Sequence, residues 1–170
     1  MAAPTPKERL QPALLDRLTD SEPAQKHEPR ESRLITRKRL HQAVLRDLAW
    51  LLNTTQLGGD AAFGACGYAR RSVINFGLPA LSGETASTLD MIALERTIKQ
   101  AILDYEPRIV PASLQVQALA SAPLLDQHNI ISIQIRGDLW ALPVPIELLL
   151  RTDVDLETGA VELRDLGKSV

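Results

Sequence analysis

The chain has 170 residues, 45% of them hydrophobic, and a formal charge of -2. That length suits one domain plus a tail, and the apolar content fills a core without disulfides. A charge so near zero excludes a general polyanion binder, and a single cysteine, Cys66, excludes an intramolecular disulfide and fits a reducing compartment.

No metal site or cofactor is expected, because His27, His41 and His128 do not fall at zinc-ligand spacing with Cys66. No secretory signal core opens the chain. The apolar stretch at 140–150 is broken by two prolines and Glu147, short of the ~20 residues a membrane helix needs. The expected protein is soluble, cytoplasmic and not inserted in a membrane.

Residues 1–33 carry five of the eleven prolines and twelve charged side chains, too little apolar matter for a core. They read as a flexible arm ahead of a domain at 34–170. Within the arm Leu10, Leu14, Leu15 and Leu18 fall at helical spacing behind Pro12, giving an amphipathic segment at 12–18 too short to stand alone. It docks either on its own domain or in a groove of another subunit. Leu40, Val44, Leu48, Leu51 and Leu52 predict a core helix over 36–53, with Arg37, Lys38 and Arg39 opposing the dipole at its N-terminal end. Residues 56–68, rich in glycine and alanine, read as a loop. Ser72-Val73-Ile74-Asn75-Phe76-Gly77-Leu78-Pro79 reads as an ordered connection.

Leu94, Ile98, Ala101, Ile102 and Tyr105 then predict a half-buried helix over 88–105, opened by a capping-box-like Ser87 and Asp90 and closed by Pro107. The triplet Glu106-Pro107-Arg108 sits at its exit. A glutamate there opposes the helix dipole by roughly 0.3 to 1 kcal/mol and calls for a cation, for which Arg108 is the nearest candidate. In extended chain the two side chains share a face. They form either a local ion pair that sets the exit angle or a contact offered to a partner.

Beyond the triplet the apolar period changes from 3.6 to 2. Leu114, Val116 and Ala118 form one alternating strand and Ile131, Ile133 and Ile135 another. Gly137-Asp138 reads as a tight turn into residues 139–142. A last hairpin runs from Ile146 through Val154 to Glu157-Thr158-Gly159 and back along Val161 and Leu163. The fold class is α+β, N-terminal helices followed by a small antiparallel β-meander.

No catalytic constellation emerges. The glycines between Gly58 and Gly67 lack the Gly-Lys-Ser/Thr ending of a phosphate loop, and Cys66 has no recognisable base. The carboxylates Glu95, Asp104, Glu106, Glu147 and Asp153 show no spacing that selects a pair. Aromatic residues do not border Arg37 to Arg39, which argues against nucleic-acid binding.

Taken in order, Leu14-Leu15-Asp16-Arg17-Leu18, the 72–79 segment, Glu106-Pro107-Arg108 and the final Asp155-Leu156-Glu157-Thr158-Gly159 resemble the TssE family of type VI secretion baseplate subunits. That family is similar to the phage tail baseplate wedge proteins once labelled lysozyme-like. Phe76 departs conservatively from the tyrosine more usual there. The resemblance implies a non-enzymatic structural subunit, cytoplasmic and recruited to the membrane-docked baseplate. Its implied partners are TssF, TssG and TssK and the contractile sheath of TssB and TssC. It implies that Glu106, Pro107 and Arg108 contact the core bundle of the wedge and that Leu14 to Leu18 form a further docking segment. An exposed strand edge would meet the sheath. On this reading, removing Arg108 abolishes assembly and leaves the isolated fold nearly intact. The old lysozyme-like label and the available carboxylates raise one alternative, a peptidoglycan hydrolase with Glu106 as general acid, against which stand the missing export signal and the lack of any spacing that selects a second carboxylate.

Overall fold

The computed structural model describes residues 12–19, 35–58, 63, 66–81, 89–119, 129–141 and 144–167. The boundary expected near residue 33 lies outside them. The expected α+β class is what the chain adopts: helices first, then, among the described residues, one four-stranded antiparallel sheet whose strands lie in chain order.

Helix α1 spans Leu14–Leu18 and buries none of its residues. Helix α2, Arg37–Asn53, starts one residue inside the predicted span because Thr36 is its cap, its hydroxyl accepting from Arg39 N–H. Its stripe Leu40, Val44, Leu48, Leu51 and Leu52 is buried as the spacing requires. Arg37, unfavourable for the dipole, is occupied elsewhere: its guanidinium donates to the carbonyls of Val144 and Pro145 at 3.1 and 3.3 Å.

A four-residue helix, α3 at Gly67–Arg70, begins inside the stretch read as a loop. It leads into the 72–79 segment, which is ordered by pairing. Thr55 and Leu78 form a parallel bridge, with Gln56 N–H donating to Leu78 O and Leu78 N–H to Thr54 O, each 2.8 Å. Gly77 makes this approach feasible. Its φ is +123°, and a Cβ there would sit 2.2 Å from Thr54 O.

Helix α4 spans Met91–Tyr105. It starts three residues later than expected, because Asp90 is itself the cap and accepts from Ile92 and Ala93 N–H at 3.0 Å each. Ser87, the other half of the anticipated cap, lies outside the described residues. Tyr105 fastens the far end: its hydroxyl donates to Ser72 O or Asn75 O, and its ring meets Phe76 edge-on at 5.2 Å.

The strands are β1 Gln115–Leu119, β2 Ile130–Leu139, β3 Ile146–Asp155 and β4 Val161–Asp165. The turn expected at Gly137-Asp138 is not there. Gly137 pairs with Leu148 and Asp138 with Glu147, so β2 runs on to Leu139 and the chain reverses between Leu139 and Ile146. The glycine serves a close approach instead. A Cβ at Gly137 would meet Ile109 Cγ2 at 3.3 Å and the Leu114 backbone at 3.7 Å. One sheet face, from Ile133, Ile135, Leu148 and Leu150, packs with Leu48, Leu51, Ile98 and Ile102 of α2 and α4 into a two-layer core. Each such side chain contributes about 1.5 to 3 kcal/mol by leaving water.

Candidate functional site

Glu106 is the residue that ends α4, and its own N–H still donates to Ile102 O. Pro107 turns the chain so that Arg108 comes back over the glutamate. Glu106 Oε1 accepts from Arg108 N–H at 3.1 Å and from Arg108 Nε at 2.6 Å, while Oε2 accepts from Arg108 Nη2. The glutamate side chain is only 3% exposed. A buried carboxylate needs hydrogen-bond donors, and Arg108 supplies three, two of them from its charged guanidinium.

The pair does not stand alone. Arg108 Nη2 also reaches Asp47 Oδ2 on α2. Asp47 Oδ1 accepts from Arg46 Nε at 2.9 Å, and Arg46 Nη1 donates to Asp16 Oδ1 of α1 at 2.8 Å. Charges therefore alternate along a chain Asp16, Arg46, Asp47, Arg108, Glu106 that ties α1, α2 and the α4 exit together. Burial on its own lowers the Arg108 guanidinium, but the hydrogen bonds and charge of Glu106, then those of Asp47, outweigh it and hold it raised. Burial likewise works against Arg46, and Asp16 and Asp47 overcome it. Arg108 is thus a fixed cation. One of its donors, Nη1, is buried with no hydrogen-bond partner among the described residues.

Both tryptophans of the chain border this network. Arg46 lies over the Trp50 ring at 5.3 Å, a cation–π contact four residues along α2. Trp140 N–H donates to Arg108 O at 2.7 Å, beside the bridge between Ile109 and Leu139. In that antiparallel register the backbones of residues 108 and 140 are directly opposed. Trp50 is 53% and Trp140 61% exposed. Leu14, Leu15 and Leu18, brought to the same network by Asp16, are 70%, 42% and 73% exposed. Arginine and tryptophan are the residue types enriched in protein-binding hot spots, whereas leucine is not.

The triplet and the leucine segment, distant in sequence, are thus joined by two residues that local reading passed over, Arg46 and Asp47. The spacing of Arg46 and Trp50 on α2 was the visible signal for half of this. Trp140 had none, because its place depends on the register of a bridge. Of the two dockings open to the segment at 12–18, the structure shows an ion pair with its own domain, with the leucines left outward.

Glu106 turns both oxygens to Arg108. The described cavity, about 390 Å³, lies elsewhere, between Gln56, Arg70, Asn75, Arg96 and Gln100, and does not include Glu106. Among the described residues no three His, Cys, Asp or Glu side chains are placed to hold a metal ion, and no helix is long and apolar enough to cross a membrane.

The chain is a small two-layer α+β module with a charged seam at the exit of α4. The family model described as baseplate wedge protein gp25 matches residues 38–144, more than half of the chain, and the chain belongs to that family, the family of TssE. No curated protein and no solved structure matches it. Membership gives the chain a structural role in a baseplate of the phage-tail type, among other baseplate components. The match takes in α2, the triplet, β1 and β2, and leaves α1, β3 and β4 outside it.

Proposed function

We propose that this chain is a TssE-type subunit of a type VI secretion baseplate, a structural protein without enzymatic activity. It docks on the wedge subunits TssF and TssG, in contact with TssK, through the surface around Glu106, Pro107 and Arg108. It also joins the contractile sheath of TssB and TssC to the baseplate, at the cytoplasmic side of the membrane. The observation that supports the docking is the placement of Arg108: clamped between Glu106 and Asp47, with its backbone carbonyl bonded to the N–H of the exposed Trp140. A side chain held so firmly needs no further ordering when a partner covers it. The hydrolase reading has no comparable support, since a general acid must present its carboxyl to a substrate and Glu106 faces its own arginine.

Capture of TssF and TssG from the same cell tests the reading. Trp50→Ala and Trp140→Ala are informative variants because they remove exposed groups and leave the core untouched. Wild-type chain is expected to co-purify with the pair, and the double variant to lose at least ten-fold in capture, roughly 1.4 kcal/mol, with an unchanged thermal melt. Equal capture by the variant would remove this surface from the interface, and turnover of purified cell wall by the wild type would revive the hydrolase.

A further inference from the structure

The cavity beside α4 includes neither Glu106 nor Arg108, and its lining is cationic. Arg70 at the end of α3, Arg71 next to it and Arg96 on α4 all line it, together with Gln56 and Gln100. Among the described residues neither the Arg71 nor the Arg96 side chain has a hydrogen bond or an ion pair. Asp104, a carboxylate of the same lining, accepts from Gln100 Nε2 at 2.9 Å. On a chain with a formal charge of -2, three arginines against one aspartate among the described lining residues is a local reversal of sign.

A buried amide keeps the cleft in shape. Asn75 is 4% exposed; its Nδ2 donates to Arg70 O and its Oδ1 accepts from Gly58 N–H, each at 3.1 Å. The Tyr105 hydroxyl, donating to Ser72 O or Asn75 O, ties the same turn to α4. The turn that separates two lining residues, Arg71 and Asn75, leaves Val73 82% and Ile74 65% exposed. Ser72 fixes it, its Oγ donating to Ala69 O at 2.8 Å and accepting from Ile74 N–H at 3.4 Å. Branched side chains on a fastened turn lose little freedom when they are covered.

We propose that this cleft is a second docking site, whose occupant is an acidic and apolar segment of another baseplate component. Carboxylates of that segment pair with Arg71 and Arg96, and an apolar side chain lies against Val73 and Ile74. A free inorganic anion would pair with the arginines but has no use for the exposed turn. A nucleic acid would bring continuous negative charge past Asp104 to a chain that is itself net negative. A second copy related by a two-fold axis would set arginines against arginines. The proposal rests on the baseplate reading above and adds a contact separate from Glu106, Pro107 and Arg108.

Capture of the TssF–TssG pair by the full chain, measured as salt is raised, decides it. Arg71→Glu with Arg96→Glu is expected to lower capture at least ten-fold at about 0.1 M salt and to flatten its salt dependence. Arg71→Lys with Arg96→Lys keeps the charge and should retain most of the capture. Val73→Ser with Ile74→Ser should weaken it as well, and unchanged capture there would overturn the apolar half of the contact. A lowered melt of the isolated charge-reversed chain would show that the arginines serve their own fold, and would overturn the proposal. Unchanged capture by that chain, with the Trp50 and Trp140 double variant still losing it, overturns the cleft and leaves the baseplate reading standing. Failure of the wild-type chain to capture the pair brings down both. Release of the pair by inorganic phosphate at constant ionic strength would make the occupant a free anion. Binding of an oligodeoxythymidylate, or self-association, that charge reversal abolishes would make it a nucleic acid or a second copy. Each of these three results overturns the choice made here.

Discussion

Glu106 sets the cost of touching its partner. Its carboxylate is 3% exposed and depends on Arg108 for its side-chain donors, so truncating the arginine leaves a buried charge unpaired. The sequence alone led to the expectation that Arg108 could be removed with the fold nearly intact, and the burial argues otherwise. Arg108→Ala is expected to destabilise the isolated chain by ~3 kcal/mol in urea titration. Replacing Glu106 by Gln in that background should recover part of the loss, since the charge is gone, and the double-mutant cycle then reports the coupling. A cycle with no coupling would mean that Arg108 acts only on Asp47. Gly77 is the other residue whose identity is compelled. With φ at +123° and Thr54 O in the way of any Cβ, Gly77→Ala should cost more than about 2 kcal/mol and melt the 72–79 segment first, read as early loss of amide protection at Leu78.

Helix α1 is five residues long and buries nothing, so what holds it is the ion pair of Asp16 with Arg46. Asp16 is 15% exposed there and Arg46 34%, which limits the pair to about 1 kcal/mol or less. Asp16→Ala is therefore expected to leave the melt within about 0.5 kcal/mol of wild type while making the α1 amides exchange at unprotected rates. Persistent protection would show that the leucines, not the charge, dock the segment. Elements differ in the same way in how far the sequence revealed them. Helices α2 and α4 were legible because their apolar stripes repeat at 3.6 and are long enough to outvote local noise. The start of α4 was misread because Ser87 and Asp90 both look like caps, and only the geometry shows which oxygen meets the N–H groups. Gly137-Asp138 carries the local signature of a turn, but ten residue pairs between β2 and β3 override it, a long-range pairing no local window contains. The charged seam was half legible for the same reason: Glu106 and Arg108 are neighbours in sequence, whereas Asp47 lies 61 residues from Arg108.

For the whole molecule, the solvated face of the sheet couples stability to acidity. Asp153 on β3 is partly buried, and that burial by itself would raise its carboxyl. The hydrogen bonds from Ser132 and Arg151 and the charges of Arg151 and Arg164 prevail and hold it below the ordinary value of 3.8. Asp155 is lowered as well, chiefly by the Thr158 hydroxyl and the Glu157 N–H in the turn to β4. A group whose folded value lies below its unfolded one binds protons more readily in the unfolded chain. Its contribution is therefore complete above the unfolded value and drains away as pH falls through the folded one. The window lies below the usual carboxylate range, so the melting temperature should be level above about pH 5 and fall steeply beneath pH 4. Asp153→Asn removes the titrating group while leaving an acceptor for Ser132 and Arg151. It should lower stability modestly near neutrality and make the acid fall shallower, the two curves converging at low pH. Parallel curves would mean that the acid loss comes from other carboxylates, with Asp155 and Glu162, which are also lowered, the next to replace.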